Sequence, residues 1–464
     1  MCYPNSYRVG MSNLGFHSLF HRTASFQGIR AVRFFIEHGS TLFSPESFIP
    51  EKKRLFDRKG GSLRGFDVIL FTISYELDYL NIIRMLQLSA VPPVREERDA
   101  RFPIIISGGI AVSANPFPLS VFSDIVFVGD MDGSLERILE ILFRQGFEKS
   151  EKTKKLLSAV PGVLLGGKES PERSITDPLR EPAHTVVLSP KTEFSNMFLV
   201  EIVRGCKGSC NFCMTRCVNR PVRTVRPQKV IERVRLASSY TKRAGLVAPL
   251  ITDHPELAGI VKEINTFGVR VSFSSMRPDR FTESLAALIT ENNQTTVTFA
   301  PETGSSTFRK RIGKRIENEE FFKAVETAAA YGVRKVRYYL IYGLPGENDD
   351  DIASFGDIAE KTNGIMKRYN GTLYLSINPF IPKKQTPFED AGIYPLSYYK
   401  KAEASIRRVL EPLHILYRFE STRLLSLQYQ LSVGGSDTGK LLYRCVLEGS
   451  MKAFEHVDLK GRIV

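Results

Sequence analysis

Arg204-Gly205-Cys206-Lys207-Gly208-Ser209-Cys210-Asn211-Phe212-Cys213 places three of the chain's six cysteines in one short loop, spaced C-x3-C-x2-C. Three thiolates can each hold one iron of a cubane cluster and leave the fourth iron open. An open iron can take a substrate or cofactor, whereas a cluster that only carries electrons usually has all four irons capped by protein. Two plainer readings compete with this one. Zinc wants four ligands, and Cys217 would extend the run to C-x3-C-x2-C-x3-C, but no nearby histidine or second C-x2-C pair supports it. A disulfide framework is disfavoured by six cysteines in 464 residues. Cys206, Cys210 and Cys213 are therefore the expected metal ligands. Cys217 is read as a bystander thiol, and Cys445 is given no role.

The chain is long enough for two or three well-buried domains. Its composition, 42% hydrophobic and 25% charged, is that of a globular protein. No apolar stretch approaches the length needed to span a bilayer, and runs such as Asp67–Ser74 read as buried strands. A reducing cytoplasm is the expected compartment, and no membrane partner is expected. The net charge is +14, and Arg204, Lys207, Arg216, Arg220, Arg223, Arg226 and Lys229 crowd the cysteines. Such a concentration favours an anionic substrate, whether RNA, a phosphorylated metabolite or a nucleotide. A solvated basic face explains it equally well.

Residues 1–167 alternate strand and helix patterns: strands Ile29–Ile36, Asp67–Ser74, Pro103–Ser107 and Asp124–Val128, with a helix over Leu135–Phe143. This is the rhythm of a doubly wound, Rossmann-like parallel sheet. Ser107-Gly108-Gly109 and Gly129-Asp130 fall at strand ends, where such sheets bind ligands. Met1-Cys2-Tyr3-Pro4-Asn5 reads as the end of a strand whose apolar body is missing. The expectation is that the native start lies upstream, or that the strand has been lost. Residues 168–192, with Pro171, Pro178, Pro182 and Pro190 among charges, read as a linker. Residues 193–394 then carry six βα-type steps, enough for a partial six-stranded (β/α)6 TIM-type barrel. Residues 395–464 are expected to form a small basic C-terminal region.

In βα barrels the reactive groups sit in loops after the strands, and the informative loops fall there. Ser274-Ser275-Met276-Arg277 follows the third barrel strand, Ala300-Pro301-Glu302-Thr303-Gly304-Ser305 the fourth, and Gly343-Leu344-Pro345-Gly346-Glu347 the fifth. Glu302 can accept hydrogen bonds from ribose hydroxyls. Ser274, Ser275 and Arg277 can bind an amino-acid carboxylate, Arg277 as the bidentate partner. Gly343 and Gly346 let backbone approach a flat ring. The plainer alternatives are a surface ion pair of Glu302 with Arg309 or Lys310, and an ordinary turn for the glycines.

These motifs together resemble the radical S-adenosylmethionine superfamily. The residues from Cys206 to Arg226, with Phe299–Ser305, Ile341–Gly346 and Phe380–Lys383, resemble its group with an N-terminal cobalamin-binding-like domain. Tyr3–Gly15 and Gly108–Asp130 are similar to that group as well. The resemblance implies a [4Fe-4S] cluster whose open iron chelates S-adenosylmethionine. It also implies reductive cleavage fed by a low-potential electron donor, and a substrate modified by hydrogen abstraction or methyl transfer. Phe212 is expected near the adenine, or else in the core.

Two departures limit what carries over. The glycine-glycine-glutamate motif is replaced by Ala248-Pro249-Leu250-Ile251-Thr252-Asp253, so Thr252 or Asp253 would take its place. The D-x-H-x-x-G motif of a cobalt-ligating histidine is absent, so cobalamin would need another ligand or none. A methylthiotransferase is disfavoured because the remaining cysteines are scattered. The competing class is a non-catalytic iron–sulfur protein that binds nucleic acid. The substrate, small or macromolecular, and the catalytic residue acting on it are not specified by the sequence.

Overall fold

The computed structural model describes residues 1–36, 55–56, 62–166, 169–176 and 181–454. It divides into two compact units. The first comprises residues 1–177, 183–196 and 426–464, and the second residues 178–182 and 197–425.

The first unit is built on a sheet of strands β1 (Cys2–Tyr3), β2 (Phe34–Ile36), β3 (Leu55–Phe56), β4 (Val68–Thr72), β5 (Ile104–Gly108), β6 (Ile125–Phe127) and β7 (Val163–Leu164). Their order is β3-β2-β1-β4-β5-β6-β7. The five inner strands run parallel, and both edge strands run antiparallel to their neighbours. The Val68–Thr72 and Ile104–Gly108 runs are apolar because helices cover both faces of a parallel sheet, and every residue of β5 is buried. The expected strand over Ile29–Ile36 is confined to its last three residues. The short Cys2–Tyr3 segment is a true strand, paired on both sides.

The chain leaves β1 toward β2 on one side and later returns to β4 on the other. The crevice of this doubly wound sheet therefore lies between β1 and β4. There Asn5 Nδ2 donates to Asp78 Oδ1 at 2.8 Å and Asn13 Nδ2 to Ser74 Oγ at 3.0 Å. Burial pushes the Asp78 carboxyl up to about 7.

The second unit holds β8 (Phe198–Glu201), β9 (Val203–Arg204), β10 (Arg223–Thr224), β11 (Arg243–Val247), β12 (Arg270–Phe273), β13 (Thr296–Glu302), β14 (Lys335–Tyr342), β15 (Thr372–Pro379) and β16 (Leu416–Phe419). β9 and β10 form a small antiparallel pair. The others run parallel as β8-β11-β12 and β13-β14-β15-β16. Between β12 and β13 side-chain amides replace the ladder: Asn292 Oδ1 accepts from Val271 N at 2.7 Å, and Gln294 Oε1 from Phe273 N at 2.8 Å. The six expected barrel strands are all present, and β16 adds a seventh parallel strand beside β15. Residues 395–464 are shared out: Leu396–Leu410 and β16 lie in the second unit, Ser426 onward in the first. Burial explains the division, since Ile406 and Leu410 are fully covered in the one, Leu442 and Cys445 in the other. Part of the expected linker lies outside the described residues.

Burial alternates strictly along β14, with Val336, Tyr338, Leu340 and Tyr342 covered and the residues between them half-buried. Tyr338 meets Phe321 of helix Asn318–Ala330, with ring centroids 6.0 Å apart, and accepts from Thr362 of helix Asp349–Arg368. The covered face is thus the helix-packed one. The half-buried face carries Ile341, which packs against the same cluster of Phe308, Ile312, Leu344 and Phe380 as Phe212 of the cysteine loop.

The turn after β14 is closed by a buried carboxylate. Glu347 Oε2 accepts from Gly343 N at 2.6 Å and from Tyr398 Oη at 2.8 Å. Burial pushes Glu347 up to about 7, against the pull of those two donors. Because the folded state holds this proton more tightly than the unfolded chain, its stabilising contribution is complete below the ordinary carboxylate range and is lost as pH rises through 7. Ionisation costs up to roughly 3 kcal/mol by pH 8. Glu347→Gln keeps an oxygen for both donors and cannot ionise. Unfolding midpoints measured from pH 5 to 8 should show the variant gaining on the wild type as pH rises; parallel curves would refute this assignment.

Candidate functional site

The cysteine loop leaves β9 through Gly205, whose φ of +87° and close approach to the Asn219 carbonyl exclude a side chain. Gly208 N donates to Cys206 Sγ at 3.2 Å. A Cβ added at Gly208 would stand 3.2 Å from Cys206 Sγ and 3.9 Å from Cys210 Sγ, so both sulfurs close around one glycine. Cys213 caps the short helix Met214–Val218, on which Cys217 sits half-buried. Cys2 and Cys445 are buried in the first unit.

Burial raises the Cys206 thiol above its usual range, Cys213 and Asp253 add to the shift, and the Gly208 amide and Arg277 oppose it. Cys210 is pushed up to about 11 by burial, with Lys314 opposing and Glu302, Cys213 and Cys206 reinforcing. The three thiols thus share one electrostatic environment. Among the described residues, no three His, Cys, Asp or Glu side chains gather around a point as a single metal ion demands. A cubane takes one thiolate per iron, and three thiols in one loop are a donor set of that kind.

A segment a hundred residues away grips the loop. Asn211 N donates to the Ile312 carbonyl at 2.9 Å, Asn211 Nδ2 to the Arg311 carbonyl at 3.4 Å, and Ser209 Oγ to the Gly313 carbonyl. Gly313, at φ +83°, lies so close that a Cβ would fall 2.4 Å from the Ser209 carbonyl oxygen. Phe212, half-buried, packs on the cluster of Phe308, Ile312, Leu344 and Phe380.

Glu302 ends β13 just past a register shift, with φ +67° and only 7% of its surface exposed. A bulky residue in the left-handed region is strained, and such strain gathers at functional positions. The surface ion pair weighed for Glu302 is not formed. Its carboxylate meets Lys314 Nζ at 2.8 Å, both side chains being nearly covered. Arg309 is buried on backbone carbonyls, and Lys310 pairs with Glu317.

The other expected residues are placed less simply. Ser274 Oγ donates to the Ala248 carbonyl at 3.0 Å, and the Ser275 carbonyl accepts from Ile251 N. Arg277's fork is taken by Asp279, at 2.8 and 2.7 Å. Gly343 packs against Tyr399, which would stand 2.5 Å from an added Cβ. Gly346 receives Arg311 on its carbonyl and gives its amide to Tyr394 Oη. Asp253, 3% exposed, accepts from Lys207 N at 3.3 Å and pairs with Arg280 at 3.0 Å. Beside it, Thr252 Oγ1 is buried with no hydrogen-bond partner. Of the basic residues around the loop, Arg204 is paired with Glu201 and Lys229 with Glu232, while Lys207, Arg220 and Arg226 are exposed.

The first unit offers no free imidazole at His17, which follows the β1 turn. His17 Nε2–H donates to the Met11 carbonyl at 3.0 Å and Nδ1 accepts from Val186 N at 3.1 Å. A cobalt ion would find both nitrogens engaged.

Comparison with known proteins agrees with the two units. Residues 15–164 match the family model for radical SAM proteins, N-terminal, and residues 200–358 that of the radical SAM superfamily. The chain is 28% identical to Uncharacterized protein MJ0966 of Methanocaldococcus jannaschii over 446 residues, 95% of this chain and 89% of that protein. It is 23% identical to MJ1620 of the same organism over 65% of this chain and 66% of that one. Among solved structures it is similar to the cobalamin-dependent S-adenosylmethionine radical enzyme OxsB with aqua-cobalamin and S-adenosylmethionine bound. That match has TM-score 0.55 and 14% identity, and covers 99% of this chain but 63% of the OxsB chain. Both domain models, a shared fold and the cysteine loop at the end of the first barrel strand agree: the chain belongs to the radical S-adenosylmethionine superfamily.

Proposed function

We propose that the chain is an enzyme whose Cys206, Cys210 and Cys213 hold a [4Fe-4S] cluster and whose surrounding strand ends bind S-adenosylmethionine. When bound, the cluster supplies the low-potential electron that splits a carbon–sulfur bond of S-adenosylmethionine, yielding methionine and a 5′-deoxyadenosyl radical. The observation that carries this reading is the pairing of two features in one unit: the cysteine loop, and a buried, left-handed Glu302 electrostatically linked to Cys210.

The protein's own part is to bind and orient. Glu302 accepts from the ribose hydroxyls, a bond that a carboxylate makes with particular strength. Thr252 and Asp253 stand where the glycine-glycine-glutamate motif is missing. Thr252 contributes a buried hydroxyl without a partner and Asp253 a carboxylate tied to the cysteine loop through Lys207 N, which suits them to the methionine ammonium. Ser274 and Ser275 serve the carboxylate end. Arg277 contributes there only in competition with Asp279.

The substrate, in this reading, is anionic, met by the exposed Lys207, Arg220 and Arg226 beside the loop. The reaction on it is hydrogen abstraction or methyl transfer. The likeness in fold to OxsB supports a place for cobalamin in the first unit, but His17 does not fit as its ligand, so no step is assigned to it. No helix among the described residues is long and apolar enough to cross a membrane, and a reducing cytoplasm suits six free thiols.

Anaerobic reconstitution with iron and sulfide, reduction, and measurement of 5′-deoxyadenosine from S-adenosylmethionine tests the reading. Nucleoside should form, and replacing Cys206, Cys210 and Cys213 by alanine should abolish both bound iron and turnover. Full activity in the triple variant would end the proposal. A reducible cluster with intact S-adenosylmethionine and tight, steeply salt-dependent RNA binding would favour a binding protein instead.

Thr252→Val gives a second test. Removing an unpartnered buried hydroxyl leaves stability unchanged or slightly raised, so the melting temperature should hold while S-adenosylmethionine affinity falls about tenfold. Wild-type affinity in this variant would remove Thr252 from the site.

A further inference from the structure

Glu302 does not hold its left-handed conformation by itself. Arg309, with none of its surface exposed, donates to the Pro301 carbonyl at 2.8 Å, to the Thr303 carbonyl, and to the Ile316 carbonyl at 2.8 Å. The first two of these flank Glu302 directly. Lys314 Nζ donates to the Ala300 carbonyl and to Glu302 Oε1. One guanidinium and one ammonium thus fasten the backbone from 300 to 303 and aim the carboxylate. Both come from helix Ser306–Arg311 and the turn that follows it, and that turn also receives Asn211 N and Ser209 Oγ of the cysteine loop.

The arrangement is redundant for structure and specific for the carboxylate. Arg309 alone takes the two carbonyls on either side of Glu302, which fixes the chain. Lys314 adds an ion pair to the carboxylate itself, its own side chain 13% exposed. Without that ammonium the nearly buried carboxylate loses its ion pair and can turn away, which spoils it as an acceptor for hydroxyl donors.

We infer that Lys314 is a positioning residue. It holds the Glu302 carboxylate aimed at the ribose, and through Gly313 it ties that carboxylate to the cysteine loop, so that the nucleoside end of S-adenosylmethionine is set in register with the cluster. This rests on the proposed function, and it adds a residue that acts through Glu302.

The test uses the reconstituted full chain as wild type, Lys314→Met, Lys314→Arg, Glu302→Gln and the Lys314→Met/Glu302→Gln double variant. Iron content, calorimetric affinity for S-adenosylmethionine, and the electron paramagnetic resonance spectrum of the reduced cluster with and without S-adenosylmethionine are measured. Lys314→Met should keep its iron and still show the spectral change at saturation, but bind about tenfold or more weakly. Lys314→Arg should recover most of that affinity. The double variant should bind no worse than Glu302→Gln, because the lysine acts through the carboxylate. The inference is overturned if Lys314→Met binds within twofold of wild type, if it loses iron, or if its loss adds to that of Glu302→Gln. Failure of the wild type itself to bind S-adenosylmethionine would instead overturn the functional reading beneath it.

Discussion

The cysteine loop of this protein is held in shape by contacts that do not involve a metal. Its Asn211 amide and Ser209 hydroxyl are received by the carbonyls of Ile312 and Gly313, and its Phe212 ring is seated on Phe308, Ile312, Leu344 and Phe380. A glycine-rich loop with three thiols has little structure of its own and pays heavily in entropy for being ordered. The turn at 311–314 supplies that order from outside. Any substitution giving Gly313 a side chain would press into the Ser209 carbonyl, so the loop's geometry depends on a residue far from it in sequence.

The same turn explains why strain is tolerated at Glu302. A left-handed, nearly buried glutamate at the end of a strand is an unfavourable choice on conformational and on electrostatic grounds. Arg309 and Lys314 offset both: one satisfies the neighbouring carbonyls, the other neutralises the carboxylate. The alternation of burial along β14 completes the picture. The strand is covered by helices on one side and half-open on the other, and Ile341 on the half-open side packs on the same apolar cluster as the loop's aromatic anchor.

How much of this the sequence disclosed follows from the range of each interaction. The C-x3-C-x2-C spacing is local and reads directly, as do the parallel-strand rhythm and the strand ends that carry Ser274, Glu302 and Gly343. The capping of helix Asp349–Arg368 by Asn348 and Asp351 is likewise written in neighbouring residues. Arg309, Gly313 and Lys314 were not legible as parts of the site, because their partners lie in carbonyls and in a loop that only the fold brings near. Arg309 looked like a surface cation and is instead fully buried. The one available signal was the Arg-Ile-Gly-Lys run itself, a glycine set among cations immediately after a short helix. β16 escaped notice for another reason: four residues of alternating exposure carry too little pattern to separate a strand from a loop.

The glycines of Gly343-Leu344-Pro345-Gly346 lie against the protein's own side chains. Glycine does admit a ring here, but the ring is Tyr399, and the turn is closed by Glu347 between the Gly343 amide and the Tyr398 hydroxyl. Tyr398 also stacks on Tyr394, whose hydroxyl accepts from Gly346 N. The end of β14 is therefore occupied by the protein's own aromatic and acidic groups, while the end of β13 presents a strained carboxylate braced from two sides. The first of these loops is internally satisfied, and the second presents a braced carboxylate within electrostatic reach of Cys210.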